Sequence, residues 1–386
     1  VDELVPFKGL EFISNTTQGS IRYKDKHIEV HAVRWPVFKG VTGEGLLINP
    51  TGVIQARIIA IPDADQTPEQ LVGIAPGIKP TSQYARHMAN LGCQIVIPTL
   101  INRDDEFSGS KQAVFTNQTH REWIYRQAFE MGRHIIGYEV QKVRAVLNWF
   151  DAENAKTADP PAIGIAGYNE GGLIAFYTAA IDQRVQVTLV SGYFTERNKV
   201  WSEPIYRNVF GLLEQFGDAE IASLISPRTL IIEHSSVKQI DSPPTIRPGR
   251  RGGAAPGILT TPSSILVKAE FQRATDLGAP GNTIHLLTGL AGDKETLPVE
   301  EFCDVLTTKR FLQELKVSLK DKAFPFAPPT HQLHVKPPTG RQQRQVQQLV
   351  DYTQQLLRFS EYRRQENFWR TFRYNQPVKW NEQTKN

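Results

Sequence analysis

The chain has 386 residues, 40% of them hydrophobic and 22% charged. That is more than a single core usually holds, so one large domain with an appendage is expected. The formal net charge of +4 arises from 44 basic and 40 acidic residues scattered along the chain, without the clustered Lys/Arg stripe of a nucleic-acid groove, which argues against nucleic acid as a partner.

Two cysteines, Cys93 and Cys303, read as small buried hydrophobes, so no disulfide, metal site or cofactor is expected. No apolar run approaches the roughly eighteen residues of a membrane span. The start, Val1-Asp2-Glu3, has no initiator Met or signal-peptide pattern and reads as processed or trimmed, and residues 1–27 are taken as an N-terminal extension. Two strand candidates, Ile28 to Trp35 and Gly45 to Ile48, form an antiparallel lead-in. Short continuous apolar runs follow, around Ile58, Ile95, Ile163, Val187, Leu230 and Ile284, each bounded by turn residues as expected for strands buried on both faces.

Helical patterns separate these runs, the clearest from Gly132 to Phe150, where Ile135, Ile136, Val140, Val143 and Leu147 recur at helix spacing. The alternation predicts an α/β fold, a doubly wound, mostly parallel sheet with helices on both faces, over residues 28–318. In such sheets ligands sit beyond the carboxyl ends of the strands. A Pro/Gly-rich insertion over 235–264 is predicted as a surface loop. Residues 319–386 read as a Pro-rich linker and a C-terminal amphipathic helical tail. That helix is expected to pack on its own domain or on a second domain, with a membrane-surface helix as the alternative.

The run Ala162 to Ala166 passes into Gly167-Tyr168-Asn169-Glu170-Gly171-Gly172 and then into the helical stretch Leu173 to Ile181. This strand-turn-helix context makes a G-x-S-x-G-like match meaningful: the glycines allow a sharp turn and the central residue is presented at the top of the sheet. Here the central residue is Asn169.

With the segments Thr116 to Trp123 and Arg133 to Glu139 and the run Ser226 to Ile232, this elbow resembles the α/β-hydrolase superfamily. Within it the likeness is to the acetyl xylan esterase and dienelactone hydrolase-like branch. The resemblance implies a Ser or Cys nucleophile at the elbow, an acid after a later strand and a His after the last strand, acting on acyl esters or lactones. Carried over, the nucleophile falls on Asn169, a neutral amide. The acid falls near Glu233, with Asp241 as second candidate. The His should lie in the loop Gly289-Leu290-Ala291-Gly292-Asp293-Lys294-Glu295, which holds no imidazole. Loss of either partner of a Ser-His pair removes on the order of 10⁶ in turnover.

Other residues around the expected cleft carry two readings each. Glu170 opens a helix, where its carboxylate gains roughly 0.3–1 kcal/mol from the dipole, or it activates water. Arg133 and His134 begin another helix and could form a polar cluster with Glu139; His134 reads first as structural. His120 occupies a loop that can overhang the site and contact a ligand. Asp63 and Asp65 stand where the fold supplies an oxyanion N–H, as turn and cap residues or as binders of a sugar hydroxyl or cation. Trp201, in Trp201 to Arg207, lies where these hydrolases place a lid, suited to lid packing or sugar stacking.

Three hypotheses follow. The first is an esterase-like domain without the Ser-His pair, silent or non-standard, within a longer two-module protein that is secreted or periplasmic, the cytoplasm being the alternative location. The second is an active ester hydrolase on acylated carbohydrate, its site rebuilt from Glu170, Glu233, Asp293 and a displaced His, or its elbow Ser replaced by engineering. The third is a carbohydrate-binding or assembly module.

Overall fold

The computed structural model describes residues 3–14, 16, 19–110, 112, 114–278, 281, 283–288, 302–319 and 335–371. The strands are β1 (Glu11–Phe12), β2 (Ile21–Lys24), β3 (Ile28–Phe38), β4 (Val41–Pro50), β5 (Ala56–Ile61), β6 (Cys93–Pro98), β7 (Ala162–Tyr168), β8 (Val187–Ser191), β9 (Thr229–Glu233), β10 (Ile240–Ser242), β11 (Gly257–Leu259) and β12 (Ile284–Leu287). The helices are α1 (Pro68–Leu71), α2 (Tyr84–Asn90), α3 (His120–Phe129), α4 (Ile135–Asn154), α5 (Glu170–Ile181), α6 (Leu212–Gln215), α7 (Asp218–Ser223), α8 (Ser264–Leu277), α9 (Val305–Glu314) and α10 (Arg341–Asn367).

The main sheet runs β1-β3-β4-β6-β5-β7-β8-β9-β12, with β2 also on β3. Strands β3, β4 and β6 pair antiparallel, and from β6 onward every pair is parallel. This is the doubly wound, mostly parallel sheet that the short apolar runs predict. Strands β5, β6 and β8 are buried along their whole length, which explains why they read as unbroken apolar runs.

The pleat divides the core. In β5, Ile58 and Ala60 face a layer with Tyr84, Ala85 and Met88 of α2 and Phe311 and Leu312 of α9. Ile59 and Ile61 face the opposite layer, with Val143 and Val146 of α4, Ile174 and Phe176 of α5, and Val346 and Leu349 of α10. Helix α4 starts where His134 caps it by accepting from the Ile136 N–H, and α3 starts at Thr119, whose side chain accepts from the Glu122 N–H.

Residues before position 28 contribute two strands to the sheet and add Leu4, Phe7 and Leu10 to the core, so they are part of the domain. The insertion over 235–264 is also more than a loop. It contains the β10–β11 antiparallel pair and lies across the segment before α3, where Asn117 Nδ2 donates to Pro244 O at 2.7 Å and Arg250 Nη1 donates to Thr116 O at 3.0 Å.

Helix α10 packs on its own domain through its first half. Arg341 pairs with the fully buried Glu69 at 2.8 and 3.0 Å, Arg344 pairs with Glu44 at 2.8 and 2.9 Å, and Gln345 accepts from Lys142 Nζ at 2.7 Å. Its second half leaves Leu357, Phe359 and Tyr362 exposed. Among the described residues no helix is long and apolar enough to cross a membrane.

Candidate active site

Strand β7 delivers the chain to Asn169, and α5 begins at the next residue. Asn169 sits at φ 50°, ψ −110°, a sparsely populated conformation costing on the order of 1–3 kcal/mol. The turn closes so tightly that a Cβ on Gly167 would stand 2.1 Å from Gly171 O, and one on Gly171 would stand 2.2 Å from Ile61 O. Only glycine fits these two positions, and that tightness holds Asn169 at the carboxyl end of the sheet. Its N–H donates to Ser191 O at 2.9 Å.

The Asn169 side chain is enclosed. Its Oδ1 accepts from Arg207 Nη2 at 2.7 Å, and no imidazole is among its hydrogen-bond partners among the described residues. The same Arg207 donates to Glu170 Oε2 at 3.0 Å and to Glu203 Oε2 at 3.1 Å. Glu170 also receives Arg103 at 2.8 Å and Arg121 at 3.4 Å. Burial alone would raise the Glu170 carboxyl, but Arg207, Arg121 and Arg103 together outweigh it and hold the group well below the usual carboxylate range.

Asp63 joins the cluster from the loop after β5. Its carboxylate receives Arg103 at 2.8 and 3.0 Å, and its Oδ1 accepts the Glu170 backbone N–H at 3.2 Å. Burial pushes its carboxyl up, and Arg103 more than reverses this. Arg103 further donates to Asp65 at 3.0 Å and through Nε to Tyr206 Oη at 2.9 Å. Arg121 also pairs with Glu139 at 3.0 Å. Asn169, Glu170, Asp63, Arg103, Arg121, Tyr206 and Arg207 are all buried, so the cluster is a closed ionic core above the sheet.

At the end of β9, Glu233 accepts from Ser191 Oγ, from the Cys303 N–H at 2.6 Å and from the Asp304 N–H at 3.2 Å. Burial, reinforced by nearby Asp304, raises its carboxyl above the usual range. It pins the segment leading into α9.

No family model and no curated protein matches the sequence. The fold does resemble solved structures. A Bacteroides fragilis protein assigned to the acetyl xylan esterases superposes with a TM-score of 0.51 at 13% identity, over 82% of this chain and 79% of that one. Acetyl xylan esterase 1 from Thermoanaerobacterium gives 0.45 at 11% identity, over 80% and 89%. Glucuronoyl esterase from Solibacter usitatus gives 0.42 at 11% identity, over 82% and 88%. The first of these likenesses, the sheet order and the tight turn at Asn169 agree.

The chain has the α/β-hydrolase fold.

In that fold the nucleophile stands at the elbow, and the oxyanion is held by the N–H of the next residue and by one from the loop after the third main strand. The groups at these positions are all engaged within the chain. The elbow carries an amide oxygen bonded to Arg207. The N–H of Glu170 is taken by Asp63. In the loop after β5, Pro62 has no N–H, and that of Asp63 donates to Gln66 Oε1 at 3.1 Å. The acid position, Glu233, binds backbone N–H groups. The loop predicted to carry a His, with Asp293, lies outside the described residues.

The remaining predicted residues are dispersed. His120 is buried with both ring nitrogens engaged: Nδ1–H donates to Asn102 Oδ1 at 2.6 Å and Nε2 accepts from the Phe107 N–H at 2.8 Å. His134 caps α4 through Nδ1 and donates from Nε2 to Asn208 O at 3.0 Å. Burial lowers both imidazoles from 6.5 to about 4, so both are neutral at pH 7. Arg133 donates to the Met131 and Gly132 carbonyls beside a surface cavity of about 570 Å³ that also includes Phe129 and Phe210. Trp201 is 76% exposed at the rim of a second cavity. His234 donates from Nε2 to Pro262 O at 2.9 Å, and His285 lies beside Arg310. Among the described residues no group of three or more His, Cys, Asp or Glu is placed to hold a metal ion.

The sequence reading missed Arg103, and it quoted Arg121, Tyr206 and Arg207 only as members of longer segments. They come from three separate parts of the chain, the loop after β6, the first turn of α3 and the segment after β8, and no spacing connects them.

Proposed function

We propose that this chain is an esterase-like domain that does not hydrolyse esters, its former cleft filled by an ion-pair network that ties the loops above the sheet together. The observation that carries this reading is the Arg207 guanidinium, seated on Asn169 Oδ1 at 2.7 Å where an attacking oxygen and an acyl carbon would need to meet. Further support comes from Asp63, whose carboxylate takes the Glu170 N–H that an oxyanion would require. A hydrolase rebuilt on Glu170 and Glu233 would need those carboxylates to reach water and substrate, and they are 0% and 2% exposed. A carbohydrate site in the same cleft meets the same closure.

The test is to restore the nucleophile alone. Asn169→Ser is expected to give no burst and no turnover of p-nitrophenyl acetate, because among the described residues no imidazole bonds to the elbow side chain and the N–H groups of Glu170 and Asp63 stay occupied. Turnover at ordinary esterase rates from this single change would mean that the rest of the machinery is intact, and the proposal would be wrong.

A further inference from the structure

The segment between β8 and α7 folds back over α5 and encloses a cavity of about 240 Å³, separated from Asn169 by Arg207. Its walls include Tyr177, Tyr193, Trp201 and Phe216, and Asn208 and Asp218 also line it. Asp218 is 1% exposed. One of its oxygens, Oδ2, accepts from the Thr195 N–H at 3.1 Å and from Arg197 Nε at 3.0 Å. The other, Oδ1, is buried and has no hydrogen-bond partner among the described residues, and the same is true of Asn208 Oδ1. A buried carboxylate oxygen without a donor is costly.

The cations beside the cavity have already committed their donors. Arg197 gives Nε to Asp218, Nη1 to Glu203 at 3.0 Å and Nη2 to Tyr193 O at 2.6 Å. Arg207 is spent on Asn169, Glu170 and Glu203. What enters must therefore bring donors and needs few acceptors. Three carboxylates, Glu203, Glu214 and Asp218, line the cavity against two guanidiniums, Arg197 and Arg207, an excess of one negative charge. The Tyr193 face is already covered by Arg197, its guanidinium carbon 3.9 Å from the ring centroid, whereas Trp201 and Phe216 are open to solvent at 76% and 38%. Aromatic faces beside a carboxylate attract an ammonium, and a hydroxyl or carboxylate ligand matches this donor-demanding site less well. The volume lies below the roughly 300–1,000 Å³ of most ligand pockets and suits a compound of amino-acid size.

We propose that this cavity binds a small monovalent amine with an aromatic or apolar body, its ammonium donating to Asp218 Oδ1 and Asn208 Oδ1 and its body lying against Trp201. The site is independent of whether the elbow is silent, since none of these acceptors belongs to the hydrolase positions.

The experiment is calorimetric titration of the whole chain with 2-phenylethylamine, beside 2-phenylethanol and 3-phenylpropionate. The amine is expected to bind with a dissociation constant on the order of 1 mM or below. The two controls should bind at least about tenfold more weakly, the factor expected from losing a charge-assisted hydrogen bond. Asp218→Asn should weaken the amine by about tenfold or more. Trp201→Ala, which alters only an exposed side chain, should weaken it by about threefold or more and keeps the test decisive if the Asp218 variant fails to fold. Absence of amine binding at about ten times the expected constant, equal binding of the alcohol, or unchanged affinity in Trp201→Ala would each overturn the proposal.

Discussion

Replacing Arg207 by Met removes a guanidinium while keeping an unbranched side chain of similar length. The guanidinium holds Asn169 Oδ1 at 2.7 Å, Glu170 Oε2 at 3.0 Å and Glu203 Oε2 at 3.1 Å. Removing one partner of a buried ion pair costs about 3–5 kcal/mol, chiefly because the other charge is left without compensation. Glu170 keeps Arg103 at 2.8 Å and Arg121 at 3.4 Å, so the loss belongs at the lower end, about 3 kcal/mol. In a chain of 386 residues that corresponds to a fall of about 4 °C in Tm. Calorimetric melting of wild type, Arg207→Met, Glu170→Gln and the double variant measures both the loss and its origin. The double variant should be less destabilised than the two single losses added, by about 1 kcal/mol or more, because each single change strands the other's partner. An Arg207→Met protein melting within about 1 °C of wild type, or strict additivity in the cycle, would refute the argument that this network holds the loops together.

Acid should destabilise the fold in a defined window. His120 and His134 are lowered from 6.5 to about 4 by burial, so the unfolded rings take up protons below about pH 6.5 while the folded rings stay neutral. Stability is then complete above that pH and is lost as pH falls toward 4, by up to about 3 kcal/mol per ring. Urea unfolding at pH 7 and at pH 5 measures this, and His134→Asn, which retains a cap acceptor, should reduce the difference; an unchanged difference would count against the buried-imidazole account. At the other end of the chain, Glu69→Gln leaves Arg341 uncompensated in a buried site and is expected to cost about 3 kcal/mol. Limited proteolysis should then cut faster within residues 341–367, and equal rates in wild type and variant would mean that α10 is held by its apolar face alone.

Much of the fold could be read because burial on both faces writes continuous apolar runs into the strands and because the elbow needs glycine. Gly167 and Gly171 are required by backbone contacts near 2 Å, and those contacts depend on the turn rather than on chemistry at the site. That is why the turn remains recognisable with Asn169 at its centre. The ion-pair core was not readable. Arg103, Arg121 and Arg207 lie on separate segments, Arg121 in the first turn of α3, and only the folded chain brings them to one carboxylate. The β10–β11 pair escaped for a different reason: strands of three residues are too short to show alternation among prolines and glycines. Helix α10 was visible as an amphipathic pattern, but its partners Glu69, Glu44 and Lys142 became evident only with the fold.

By position, Asp63 lies in the loop after β5 and Glu170 follows the elbow residue Asn169. By partner, each is a counter-ion to Arg103, and Asp63 uses its second role to occupy the N–H that catalysis would need. A carboxylate there opposes an oxyanion instead of stabilising one.

Whether the elbow is silent is decided by the turnover of p-nitrophenyl acetate by the wild-type chain, measured against buffer and against the heat-inactivated protein at neutral pH. A silent elbow gives a rate equal to the heat-inactivated control, with no burst. Turnover in the ordinary enzyme range, about 1–10³ s⁻¹, that disappears in Glu170→Gln would contradict it.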